Sequence, residues 1–106
     1  MSEHTIDRLF STIAARKAAG DAEKSYTAQL LDKGVAHCAR KFGEESVEAV
    51  IAAVTQDRKD LAAESADVLY HLLVLWAAAG IAPQDVYAVL DARQAQSGLA
   101  EKAGRK

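Results

Sequence analysis

Little in this chain suits a sheet, a disulfide framework or a charged scaffold. Of 106 residues one is proline and one is cysteine, aromatics make up 6%, and 13 basic against 15 acidic side chains leave a formal charge of only −2. A lone cysteine, Cys38, excludes an internal disulfide and a cysteine-based zinc site, and is read as a small semi-apolar helix residue. With no uniformly basic arm or face, nucleic acid is not an expected partner. No run alternates apolar and polar residues as a half-buried strand does. The N-terminus M-S-E-H-T-I-D-R-L-F lacks the regions of a signal peptide, and the longest apolar run, Val68 to Ala79, is interrupted by His71 and too short to span a bilayer. No membrane association is expected, and the expected location is the cytoplasm.

What remains is half apolar and rich in Ala and Leu, a helical composition in one domain spanning 1–106, with a frayed, flexible tail over about 97–106. The expected fold is all-α, an antiparallel bundle of about four to five helices, small enough to need a partner subunit. A first helix begins near Thr5 or Ile6 with Ile6, Leu9, Phe10 and Ile13 at core spacing and stops at Gly20. Ser25 or Thr27 can cap a short second helix that Gly34 breaks, and by its residues alone S-Y-T-A-Q-L-L-D-K-G passes as a connector. A third helix runs from Val35 to about Thr55, with Val47, Val50, Ile51 and Val54 as its apolar side. Gln56 to Lys59 is a polar connection, short enough to make the next helix an antiparallel neighbour. After Gly80, Pro83 opens a last helix with Val86, Val89 and Leu90 on one face.

The fourth helix, Asp60 to Ala79, organises the chain. It is greasy, yet Asp60, Glu64, Asp67 and His71 fall within about 60° of one another on a helical projection. Carboxylates are rarely placed in such surroundings unless something pairs with them. Glu45 and Glu48 are three residues apart on the third helix, as Glu64 and Asp67 are on the fourth, so antiparallel packing can point four carboxylates at one spot, with Glu44 beside them. Glu44, Glu45 and Glu48 alone are commonplace solvated residues. Glu64 and Asp67, inside an apolar run, carry the case. Acids so placed repel one another unless a cation sits between them, and hard oxygen donors suit Mg²⁺ or Mn²⁺, which also bind phosphate oxygens. A di-iron bundle would use Glu-x-x-His twice, and that spacing is absent. Asp60, near the helix start, is read as mainly structural, His71 stays open between a hydrogen-bonded helix residue and a contact in the site, and Trp76, on the side away from the acids, as core or interface.

K-F-G-E-E-S-V-E from Lys41 to Glu48 and E-S-A-D-V-L-Y-H-L-L-V-L from Glu64 to Leu75 resemble the phosphoribosyl-ATP pyrophosphatases of histidine biosynthesis, within the all-α MazG-like nucleotide pyrophosphohydrolases whose signature is E-x-x-E, a spacer, then E-x-x-D. S-Y-T-A-Q-L-L-D-K-G resembles that family's N-terminal segment, so the likeness covers about Ile6 to Arg93. It implies Mg²⁺-dependent hydrolysis of phosphoribosyl-ATP to phosphoribosyl-AMP and pyrophosphate, with Mn²⁺ as a substitute ion. It implies metal ligation by Glu45, Glu48, Glu64 and Asp67, and Glu44 as the additional acid. Glu44 or Glu48 is then the base that orients the attacking water. Lys41 is placed on the phosphates, and Tyr26, Thr27, Lys33 and His71 are candidate substrate contacts. The family implies a homodimer, and the few residues before the first helix suggest its stand-alone rather than fused form. The rival readings are a housecleaning pyrophosphatase acting on dCTP, dUTP or other nucleoside triphosphates, and a non-enzymatic helical dimerisation module.

Overall fold

Five helices in a computed structural model, described over residues 4–95, realise the all-α expectation: α1 (Thr5–Ala19), α2 (Tyr26–Asp32), α3 (Val35–Val54), α4 (Arg58–Ala79) and α5 (Pro83–Gln94). The expected tail at 97–106 lies outside the described residues. Local chemistry sets the boundaries. Ser25 Oγ accepts from the Ala28 amide at 3.1 Å to start α2. Gly20 and Gly80 end α1 and α4 in the left-handed region, with φ of 65° and 78°. The α4 start lies earlier than expected, because Asp57 caps it, accepting from the Asp60 amide at 3.0 Å; the polar connection between α3 and α4 shrinks accordingly. Gln56, with φ of 61°, turns the chain there.

Helix α4 is central, and α1, α2 and α3 all pack on it, α3 most extensively. Ile13, Leu30, Cys38, Leu73, Val74 and Ala77 form the buried cluster, with Phe10, Leu31, Tyr70 and Trp76 packed around it. Cys38 is therefore a core residue, and its thiol lies 3.2 Å from the Leu30 carbonyl, to which it can donate. Lys17 donates to the Ala77 carbonyl at 2.7 Å, tying α1 to the end of α4. Tyr87 donates to Asp7 at 2.9 Å, tying α5 to α1. Helix α4 is long enough to cross a bilayer and holds an 18-residue window apolar enough to do so, with a mean hydropathy of 1.3, which the run from Val68 alone did not suggest. In the fold this helix is the one that three others cover.

Two expected core faces are not core. Val47, Val50, Ile51 and Val54 are 56%, 60%, 51% and 76% exposed, and Val89 and Leu90 also lie open. The seam that α3 turns inward is made of smaller or polar residues: Cys38 and Ala52 are buried, with Glu45 and Ala49 half-buried between them. These positions follow helical spacing, and their small side chains let α3 approach α4 closely. The large β-branched residues are left on the outside.

Candidate active site

That seam brings the acids of α3 and α4 together. Glu45 and Glu64 are half-buried, while Glu48 and Asp67 are more open. The Glu64 carboxyl is held above its ordinary range, first by burial and then by the negative charges of Asp60, Asp67, Glu48 and Glu45. Four acids from two helices thus bear on one carboxylate. Asp60, read from the sequence as mainly structural, exerts the largest charge effect of the four; its spacing of four from Glu64 was the available signal. Among the described residues no group of three or more His, Cys, Asp or Glu side chains is placed to hold a metal ion, so the four carboxylates lie along the seam rather than meeting at one spot as their spacing suggested. An oxygen-only acidic set that repels itself and stays open fits a hard divalent cation that retains waters and phosphate oxygens among its ligands. It does not fit an ion that demands a closed protein cage.

The remaining residues singled out from the sequence divide into two groups. Lys41 is half-buried and donates to Glu44 at 3.2 Å, and Arg40 approaches the same carboxylate at 3.9 Å. Lys41, Tyr26 and Lys33 line a cleft of about 260 Å³ between α2 and α3, together with Gln29, His37, Arg40 and Glu44. The stretch that passes as a connector therefore supplies one wall of a cationic cleft beside the acids. His37 and Arg40 were not singled out, although Lys33, His37, Arg40 and Lys41 recur at one-turn spacing. Thr27, by contrast, shares a 2.5 Å hydrogen bond with the Tyr70 hydroxyl, joining α2 to α4.

His71 is 6% exposed, with its ring edge-on to Tyr70 at 5.0 Å and to Tyr26 at 6.3 Å. Its Nδ1 has no hydrogen-bond partner. Burial pushes the imidazole below its ordinary value of 6.5, with Lys41 acting in the same direction and Glu45, Asp67 and Glu44 opposing. A histidine depressed in the native state binds protons more readily when unfolded, so its contribution to stability is lost as pH falls below the unfolded value. His37 is shifted in the same direction, whereas a raised Glu64 carboxyl works the other way, favouring the native state on acidification. In a Glu64→Gln background the thermal midpoint should fall as the pH drops through about 6.5. Adding His71→Gln should flatten that slope, as scanning calorimetry across the range would read.

The family model described as phosphoribosyl-ATP pyrophosphohydrolase matches residues 6–94. A phosphoribosyl-ATP pyrophosphatase of Parvibaculum lavamentivorans is 61% identical over 100 residues, covering 94% of this chain and 91% of the relative. Phosphoribosyl-ATP pyrophosphatase 1 of Bradyrhizobium diazoefficiens is 59% identical over 106 residues, covering 100% of this chain and 99% of the relative. An Azospirillum brasilense protein of the former name is 53% identical over 106 residues, 100% of this chain and 95% of its own. With helices, acidic seam and cationic cleft all inside the matched span, the chain belongs to the phosphoribosyl-ATP pyrophosphohydrolase family.

Proposed function

We propose that this chain hydrolyses phosphoribosyl-ATP to phosphoribosyl-AMP and pyrophosphate, the second step of histidine biosynthesis, as a cytoplasmic homodimer that uses Mg²⁺, or Mn²⁺ in its place. The observation that carries the reading is the match of residues 6–94 to the phosphoribosyl-ATP pyrophosphohydrolase family, in a chain whose relatives bear the pyrophosphatase name; the Glu64 carboxyl, with Asp60, Asp67, Glu48 and Glu45 bearing on it, lies inside that span. Glu45, Glu48, Glu64 and Asp67 would hold the cation, which when bound neutralises charge on the phosphate oxygens.

The chain's own residues supply the rest. A water oxygen bonds to the α-phosphorus, the bond from that phosphorus to the α,β-bridging oxygen breaks, and its electron pair leaves with pyrophosphate. The proton of the water passes to Glu44 or Glu48. Lys41, one turn from Glu45 and paired with Glu44, is placed to bind phosphate oxygens. Tyr26 and Lys33 approach from α2 across the cleft. His71, buried against Tyr26 and Tyr70, and half-buried Thr27, bonded to Tyr70, lie outside the lining of that cleft.

The uncovered face of α3 supports the dimer. Four β-branched residues on one helical face, all more than half exposed, are a poor surface for a lone chain. The radius of gyration, 15.9 Å, also exceeds the roughly 13 Å of a compact chain this long. A second copy seated there would bury the face.

A substrate panel tests the assignment. The kcat/KM for phosphoribosyl-ATP should exceed that for ATP, dCTP and dUTP by at least about a hundredfold, the discrimination available when a site is built around groups that the competitor lacks. Comparable rates on plain nucleotides would favour the housecleaning alternative. Release of no pyrophosphate from any of them would leave a dimerisation module.

A further inference from the structure

The cleft between α2 and α3 has a composition unlike the acidic seam next to it. Lys33, His37, Arg40 and Lys41 face a single carboxylate, Glu44, across about 260 Å³. Whole ligands of drug size take roughly 300 to 1,000 Å³, so a cleft of this size receives one end of a larger molecule. Three permanent cations gathered in a chain of net charge −2 favour an anionic end. Arg40 donates from its guanidinium to His37 Nδ1 at 3.1 Å, leaving Nε2 as the ring's site for a proton. On Glu44, Lys41 and Arg40 converge at 3.2 and 3.9 Å.

Position along α3 narrows the identity of that anion. Arg40 and Glu44, and Lys41 and Glu45, are each one helical turn apart, about 6 Å along the axis, so the cations of the cleft stand one turn from Glu45 on the same helix. In hydrolysis between the α and β phosphates the departing diphosphate is joined to the reacting phosphorus through one oxygen. It has to lie beside the carboxylates. The phosphate on the ribosyl group is separated from the reacting phosphorus by a whole nucleoside.

We infer that this cleft seats the departing diphosphate, held by Lys33, Arg40 and Lys41, and that Glu44 occupies two of these cations until the diphosphate displaces it. The inference rests on the proposed pyrophosphohydrolase activity for its choice of anion. It gives Glu44 a timed role: its carboxylate neutralises Lys41 and Arg40 in the free protein and releases both when they turn to phosphate oxygens. The same cations then face the charge that builds on the leaving group. Burial, followed by the charges of Lys33, Arg40 and Lys41, pushes the His37 imidazole below its ordinary value, so an anion among them should reverse part of that shift and make the ring a reporter.

Inorganic pyrophosphate is the probe, titrated into the full chain without metal while the His37 ring resonances are followed by NMR. Pyrophosphate should move them in the wild-type protein, and Arg40→Gln or Lys33→Gln should each weaken binding by about tenfold, the worth of one charge-assisted hydrogen bond. In turnover assays Arg40→Gln should weaken product inhibition by pyrophosphate and lower kcat/KM by a similar factor for phosphoribosyl-ATP and for ATP, because both carry the same diphosphate. Three results would overturn the inference: a His37 ring indifferent to pyrophosphate, unchanged pyrophosphate affinity in both variants, or a loss confined to phosphoribosyl-ATP, which would assign the cleft to the ribosyl phosphate. A wild-type protein inactive on phosphoribosyl-ATP would refute the functional reading, while the pyrophosphate titration would still decide the cleft.

Discussion

Glu64→Gln and Asp67→Asn should each lower Mg²⁺-dependent pyrophosphate release by about a hundred- to a thousandfold while leaving the helical signal of the protein unchanged. Both substitutions keep side-chain shape and remove one negative charge from the α3–α4 seam. In a purely structural role these acids would be stabilising, and their loss would show as unfolding. The opposite is expected for Glu64. Its carboxyl is raised by burial and by four neighbouring acids, so the ionised form is disfavoured in the native state. A glutamine at that position removes a repelled charge, and the metal-free protein should melt no earlier than wild type, with added Mg²⁺ raising the wild-type midpoint more than the variant's. Activity lost while stability is kept is the signature of a group retained for chemistry. Melting well below wild type with normal specific activity in the folded fraction would return Glu64 to a structural part.

Val50→Asp should convert the proposed dimer to a monomer. Val50 is 60% exposed and lies amid Val47, Ile51 and Val54 on the outer face of α3. On a lone chain, a polar substitution at so open a site should change stability by less than about 0.5 kcal/mol. Across a two-fold interface the same change acts twice, placing a charge from each copy in an apolar contact. At about 2 kcal/mol or more per copy, the dissociation constant should rise by at least about a thousandfold. Sedimentation or light scattering over a concentration series reads the difference, and unchanged mass and stability would mean that this face is not where copies meet. Because α3 carries Glu45 and Glu48 on its inner side, activity lost on dissociation and regained at high protein concentration would link the interface to the site.

The acidic pattern was legible in the sequence because chemistry and context conflicted there: Glu64 and Asp67 inside an apolar helix demand an explanation that periodicity does not supply. Glycine and capping signals likewise announced most helix ends. The orientation of α3 was not legible from side-chain size. Val47, Val50, Ile51 and Val54 form the more hydrophobic stripe, yet Cys38, Ala49 and Ala52 are the residues small enough for close contact with α4, and periodicity alone ranks the larger stripe first. Asp60 stands in the first turn of α4, where a carboxylate favours the helix dipole, and is also one turn from Glu64, whose carboxyl it helps to raise. The cleft residues His37 and Arg40 escaped notice because cations on an exposed helix are ordinary until α2 folds across them. Only the resemblance of the Ser25 to Gly34 stretch to a known segment marked α2 as more than a connector.

The central claim is that carboxylates from α3 and α4 direct a divalent cation and a water to the bond between the α and β phosphates. Product analysis during a Mg²⁺ titration, with phosphoribosyl-ATP as substrate in ¹⁸O-labelled water, tests it most directly. Turnover should rise saturably from near zero in EDTA, yielding pyrophosphate and phosphoribosyl-AMP with the label on the phosphate of the monophosphate product. Undiminished turnover in EDTA, orthophosphate as the product, or label in the pyrophosphate would contradict it.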